Sequence, residues 1–134
     1  MPLVSVTRLR LHRLRDLPQF GFFAILSYIQ ARRAAGNARV LTLRDRRLTF
    51  WTITVWQTPE AMKAFRNTGA HLKAMPRLAE WCDEATYVHW SQDSDAAPEP
   101  KLAFERLVKD GVVARVKDPS ANHAARNFER PKWA

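Results

Sequence analysis

The sequence predicts an α+β domain: a four-stranded antiparallel sheet with two helices, in the order β-α-β-β-α-β. Three observations predict it. Residues 3–14 and 39–57 alternate with a period of two, as strands do. The segments between strands space their apolar residues at three and four, as helices do. Asp16 with Pro18, Gly36-Asn37 and Thr58-Pro59-Glu60 supply starts and stops at the junctions.

The first strand places Ser5, Thr7, Leu9 and Leu11 on one side and Val4, Val6, Arg8, Arg10 and His12 on the other. Asp16 and Pro18 then open a helix that runs to about Ala35, with Phe22, Ile25, Leu26 and Ile29 as its apolar stripe. Gly36-Asn37 closes it. Residues 39–45 and 47–57 form a hairpin around Asp45-Arg46, without the favoured Asn-Gly or Asp-Gly turn. Thr58-Pro59-Glu60 starts the second helix as N-cap, first-turn proline and first-turn acid. Met62, Phe65, Leu72 and Ala79 keep helical spacing, while Asn67-Thr68-Gly69 and Pro76 predict a break or kink. Residues 83–92 form the last strand.

This order is the ferredoxin-like split βαβ pattern, so residues 1–92 form the expected domain. Residues 93–134 are expected as a polar linker (DSDAAPEP) and a C-terminal extension on the same domain. Within it, residues 102–109 read as a helix, Asp110-Gly111 as a turn and 112–116 as a strand.

In such a fold the helices cover one sheet face. Leu9, Leu11, Leu41, Leu43, Trp51, Ile53 and Val55 make the larger apolar set and are expected beneath them. Arg8, Arg10, His12, Phe50 and Trp56 then fall on the open face, with Val4, Val6 and Val40. An exposed apolar patch of that kind predicts a sheet-to-sheet homodimer.

Composition narrows the function. The net charge of +9 is uneven: residues 1–50 hold ten Lys/Arg against two Asp/Glu, residues 51–92 balance at zero, and residues 93–134 carry +1. No basic block, glycine-rich phosphate loop or nucleic-acid motif accompanies the charge, so nucleic acid is not the expected partner. Cys82 is the single cysteine, which excludes an intrachain disulfide and fits a reducing cytoplasm. MPLVSVTRLRLHRL is not patterned as a signal peptide, and no apolar run has the length of a membrane span. The spacing of His12, His71, His89 and His123 matches no metal motif, and no paired carboxylates or nucleophile elbow is evident.

His71 is the candidate catalytic residue, because it follows the helix break and a neutral imidazole serves as base or ligand near neutral pH. Trp51, Phe22, Phe65, Asn67, Met75 and Trp81 are the expected lining of an apolar pocket around it. The expected ligand is a hydrophobic small molecule, since this segment carries no net charge.

TITVWQTPEAMKAF, a strand running into a Thr-Pro-Glu-capped helix, resembles the dimeric α+β barrel proteins typified by the antibiotic biosynthesis monooxygenases. The longer run FWTITVWQTPEAMKAFRNTGAHLKAM is most similar to a branch of small bacterial proteins distantly related to spheroidene monooxygenase. The resemblance covers residues 3–92. It implies a two-sheet barrel dimer and, in each subunit, a pocket between the sheet and the second helix. It also implies oxidation of a hydrophobic molecule, in some members without cofactor and in others with haem. Were haem bound, His71 would be its ligand, with Asn67 and Trp51 or Trp81 beside it. The alternative reading is a non-catalytic protein that binds haem or a hydrophobic metabolite in the same pocket.

Overall fold

The computed structural model describes residues 1–134. Strand β1 (Leu3–Leu11) leads through a short 3-10 turn (Leu14–Asp16) into α1 (Leu17–Arg33). The hairpin β2 (Asn37–Asp45) and β3 (Thr49–Trp56) follows, then α2 (Pro59–Arg66), α3 (Gly69–Trp81) and β4 (Cys82–Ser91). After the linker come α4 (Pro100–Asp110), the two-residue β5 (Val112–Val113) and α5 (Ala121–Ala124). The sheet is antiparallel in the order β2-β3-β1-β4-β5, so the α+β, ferredoxin-like order read from the sequence is the one observed.

Local chemistry accounts for the junctions. The Thr58 hydroxyl caps α2 by accepting from the Ala61 amide at 3.2 Å. The second helix does break at Asn67-Thr68, and Gly69 takes a left-handed φ of +61° there. Pro76 is accommodated inside α3 without ending it. The hairpin turn is made by Arg47 and Leu48, both with positive φ, where glycine or asparagine would be favoured. Gly21 lies in the interior of α1, and an added Cβ would meet nothing within 4 Å. Gly21→Ala is therefore expected to stabilise the protein by about 0.5–1 kcal/mol, read as a raised urea midpoint, because it removes backbone freedom without a clash.

Both sheet faces are covered, and this corrects the assignment of faces. Leu9 pairs with Phe50 and Leu3 with Trp56, so these residues share a face. They pack against Phe20, Ala31, Met62, Phe65 and Trp81 of α1–α3. Phe50 and Trp56 therefore lie under the helices, not on an open dimer face. Trp51, Ile53 and Val55 pair with Arg8, Val6 and Val4 on the opposite face. There they are fully buried under Ala103, Phe104 and Leu107 of α4, with Phe128 and Trp133 of the tail. Strand alternation was right; both faces are rich in apolar residues, so hydrophobicity could not say which one meets which helix.

The apolar stripe of α1 is likewise turned around. Phe20 and Ala31 face the sheet and are buried. Phe22, Ile25, Leu26 and Ile29 lie on the opposite side of the helix and are exposed. No helix is long and apolar enough to cross a membrane.

Candidate functional site

The register shows why the helix-side face is not packed throughout. At one end Phe50, Leu9 and Ala85 align across β3, β1 and β4. At the other end Trp56 aligns with Leu3. Between these apolar rows lie two polar ones. Thr42, Thr52, Thr7 and Tyr87 form the first, and Val40, Thr54, Ser5 and His89 the second. The stretch from Phe50 to Trp56 measures about 20 Å at ~3.3 Å per residue.

Over the polar rows α1 presents small side chains. On α1, Phe20 joins the cluster at the Phe50 end and Ala31 the cluster at the Trp56 end. Between them the same helix face carries only Ala24 and Ser27, which remain accessible to solvent. Ser5, Thr7 and Thr52 are part-exposed, and Tyr87 and His89 are exposed. Small side chains thus stand above part-exposed hydroxyls, with aromatic packing at each end.

His71 packs near the Trp56 end of the sheet. Its ring lies 4.7 Å from that of Phe65, which in turn lies 5.1 Å from Trp56. The Trp56 indole is held by donating to the Thr54 hydroxyl at 2.9 Å. His71 Nδ1 is 3.3 Å from the Arg66 carbonyl oxygen. A carbonyl only accepts, so Nδ1 carries the proton and Nε2 keeps its lone pair. Gln30 of α1 fixes the helix break from which His71 projects. Its Oε1 accepts from the His71 amide at 3.1 Å, and its Nε2 donates to the Thr68 carbonyl at 2.9 Å and the Phe65 carbonyl at 3.2 Å. A groove of about 500 Å³ opens beside this support, lined by Gln30, Phe65 and Thr68 with Ala61 and Ala64.

Electrostatics favour a neutral base. Burial pushes the His71 pKa below its ordinary value, against the Arg66 carbonyl bond that raises it, and the nearby Arg66 charge lowers it further. His89 is also lowered, first by burial and then by the Arg66 charge. The Arg66 charge thus acts on both imidazoles in the same direction as burial. The unfolded chain takes up protons at these histidines more readily than the folded one. Stability is then complete above about pH 6.5 and is lost as pH falls below it. The urea midpoint should drop between neutral and mildly acid pH, and His71→Gln should flatten part of that drop.

The other predicted residues are placed as follows. Phe65 packs against His71. Trp51 does not: it lies on the far sheet face, with its ring 6.4 Å from Phe104 and 5.1 Å from Trp133. Phe22 and Met75 are exposed on helix surfaces and line no part of the groove beside Gln30. Asn67 is the exposed C-cap of α2. Trp81 is buried at the Phe50 end against Phe20 and Phe23, and its indole donates to Gln19 at 3.3 Å. Burial, with Asp83 and Asp16, pushes the Cys82 thiol up to about 12, which makes it an unreactive core residue.

Arg8 and Arg10 are engaged in ion pairs rather than offered to a partner. Arg8 is buried and bonds Glu84 at 2.6 Å. Arg10 bridges Asp83 at 2.8 Å and Glu84 at 3.2 Å. Exposed His12 has Nδ1 3.4 Å from Asp83. The Ser120 hydroxyl donates to Glu84 at 2.7 Å, and His123 Nε2 donates to the Ala114 carbonyl at 2.9 Å, so this network ties the tail to the sheet. Arg8 Nε, Trp51 Nε1, Thr86 Oγ1 and Trp133 Nε1 find no acceptor in the protein.

Sequence reasoning missed Arg66, His89, Gln30 and the hydroxyl rows. Their signal was present: Ser5 and Thr7 interrupt the Leu3–Leu9 face, and Thr52 and Thr54 interrupt the Phe50–Trp56 face. No group of three or more His, Cys, Asp or Glu side chains is placed to hold a metal.

Residues 21–110, more than half of the chain, match the model of a family described as "Domain of unknown function (DUF3291)". No curated protein matches the sequence. Among solved structures the chain is similar to SnoaB, a cofactor-independent oxygenase from Streptomyces nogalater. The identity is 18% and the TM-score 0.57, over 73% of this chain and 98% of that one. It is also similar to a putative antibiotic biosynthesis monooxygenase from Nitrosomonas europaea, at 18% identity and TM-score 0.61, over 69% of this chain and 90% of that one. A third similar structure is a Mycobacterium tuberculosis protein, at 10% identity and TM-score 0.64, over 72% of this chain and 99% of that one. At these identities the likeness establishes the fold alone: the chain shares the ferredoxin-like α+β fold of the antibiotic biosynthesis monooxygenase structures.

Proposed function

Since this chain belongs to the DUF3291 family and has the monooxygenase-like fold, we propose that it oxidises a hydrophobic small molecule, without a cofactor, in the cleft between α1–α3 and the sheet. The observation that supports the reading is the His71 imidazole, oriented by its Nδ1 contact with the Arg66 carbonyl and held below its ordinary pKa by burial. SnoaB, which shares the fold, is a cofactor-independent oxygenase.

In such chemistry the substrate itself supplies the electrons. It needs a C–H bond whose anion is delocalised, such as a methylene between an aromatic ring and a carbonyl. His71 Nε2 takes that proton. Arg66 and the threonine and serine hydroxyls face the oxyanion into which the charge delocalises. The carbanion and O₂ form a C–O bond, and loss of water from the hydroperoxide leaves a ketone. The methylene loses four electrons, O₂ gains four, one oxygen stays in the product and the other leaves as water. Half-buried Phe65 and Phe50 supply apolar surface at the two ends, backed by buried Trp56 and Phe20.

Haem fits this site poorly. The oriented imidazole suits an iron ligand, but a porphyrin needs a broad apolar slot, and the surface next to His71 carries Arg66, His89 and hydroxyls.

The reading includes a homodimer. Val4, Val6, Trp51 and Ile53 are buried within one chain and are not its surface. The support lies one layer out, where Leu102 and Val108 of α4 and Val112 of β5 stay exposed.

Oxygen uptake with anthrone, a methylene activated by rings and a carbonyl, tests the activity. The proposal expects uptake with one anthraquinone formed per O₂. Saturable quenching of tryptophan fluorescence under anaerobic conditions, with no enzyme-dependent uptake in air, would leave the non-catalytic binding protein instead. A Soret shift on adding haemin that is lost in His71→Ala would reverse the assessment of haem.

A further inference from the structure

We infer that the outer face of α1 is a docking surface for an anionic lipid bilayer. Phe22, Ile25, Leu26 and Ile29 are 59%, 63%, 37% and 40% exposed, on the side of the helix opposite buried Phe20 and Ala31. Four large apolar residues in one exposed stripe are not the scatter normal on a soluble surface. α3, which packs beside α1, adds exposed Leu72 and Met75 on the same side of the sheet.

The charges around the stripe identify the occupant. α1 contains no Asp or Glu. Arg15 precedes it, and Arg32 and Arg33 fill its last turn, on the same side as the apolar residues. Lys73 is exposed between Leu72 and Met75, while the one acid of α3, Glu80, lies near its far end. An exposed apolar helix face flanked by arginines suits contact with acyl chains and anionic headgroups together. It also gives a use to Arg15, Arg32 and Arg33, three of the ten basic residues of 1–50. A second copy is the poorer occupant. Packed parallel, two α1 helices would oppose Arg32 with Arg33 of the other copy; packed antiparallel, they would oppose Arg15 with the same pair. Anionic headgroups neutralise these charges in either orientation.

The test is co-sedimentation of the full chain with sucrose-loaded vesicles of phosphatidylcholine alone and of phosphatidylcholine mixed with phosphatidylglycerol. The expected result is at least about tenfold stronger partition onto the anionic vesicles, reversed by high salt. Arg32→Gln with Arg33→Gln should weaken it about tenfold. Ile25→Ser with Ile29→Ser should weaken it by a similar factor or more. These side chains lie outside the three core clusters, so both variants should keep the wild-type melting curve. Equal partition onto neutral and anionic vesicles, or none onto either, overturns the inference. So does a solution mass of two chains that falls to one in the Ile25→Ser, Ile29→Ser variant, since a second copy would then cover the face.

Discussion

His71→Gln should lower the kcat for oxygen uptake by about 10²–10⁴-fold, with KM little changed. Glutamine can still donate near the Arg66 carbonyl and fill the space beside Phe65, so the cleft keeps its shape. What it loses is Nε2, the basic nitrogen that the Nδ1–H bond to Arg66 leaves unprotonated. The pH profile separates loss of the base from loss of structure. Burial lowers the His71 pKa first, so the ring is neutral throughout the range above about pH 6.5 and the wild-type rate should be flat there. Below that range the rate should fall as His71 protonates. The residual rate of His71→Gln should lack this acid limb. A variant that keeps the limb and loses rate uniformly would mean that another group is the base.

Glu84→Ala should destabilise the fold by about 3–5 kcal/mol. Glu84 is buried and accepts from Arg8 at 2.6 Å, with Arg10 at 3.2 Å and Ser120 at 2.7 Å on its other oxygen. Removing it strands the Arg8 guanidinium, whose Nε already has no acceptor, beneath the tail. The loss should appear in urea unfolding as a lower midpoint. Pairing Arg8→Met with Glu84→Leu should recover much of the stability, because an apolar pair of similar volume avoids the uncompensated charge. If the double variant is no more stable than Glu84→Ala, the ion pair itself is the stabilising element and the burial argument fails.

The strands, the cap at Thr58 and the break at Asn67-Thr68 were legible because each is a local matter of alternation, hydroxyl chemistry and poor helix formers. The two sheet faces were not. Leu9 was rightly put under the helices, but it pairs with Phe50, not with the Trp51 face. Choosing the larger apolar set as the helix side assumes that only one face is covered, and α4 and the tail cover the other. The same ambiguity turned α1 around, since it is apolar on both sides and its spacing alone cannot say which side is buried. His71 and Phe65 could be singled out from their place around the break. Arg66, Gln30 and His89 could not, because what unites them is pairing register and a bond from a distant helix. The hydroxyl rows were readable one residue at a time but become a site only once β1, β3 and β4 lie side by side.

The central claim is that the ligand sits over the hydroxyl rows on the helix side of the sheet. Methyl NMR tests it directly, because alternation puts Thr7, Thr52 and Thr54 on that face and Val4, Val6, Ile53 and Val88 on the other. Under anaerobic titration with anthrone, the methyls of Thr7, Thr52 and Thr54 should shift, while those of Val4, Val6, Ile53 and Val88 stay in place. Shifts confined to Val4, Val6, Ile53 and Val88, with the three threonines unmoved, would place the ligand under α4 and contradict the account.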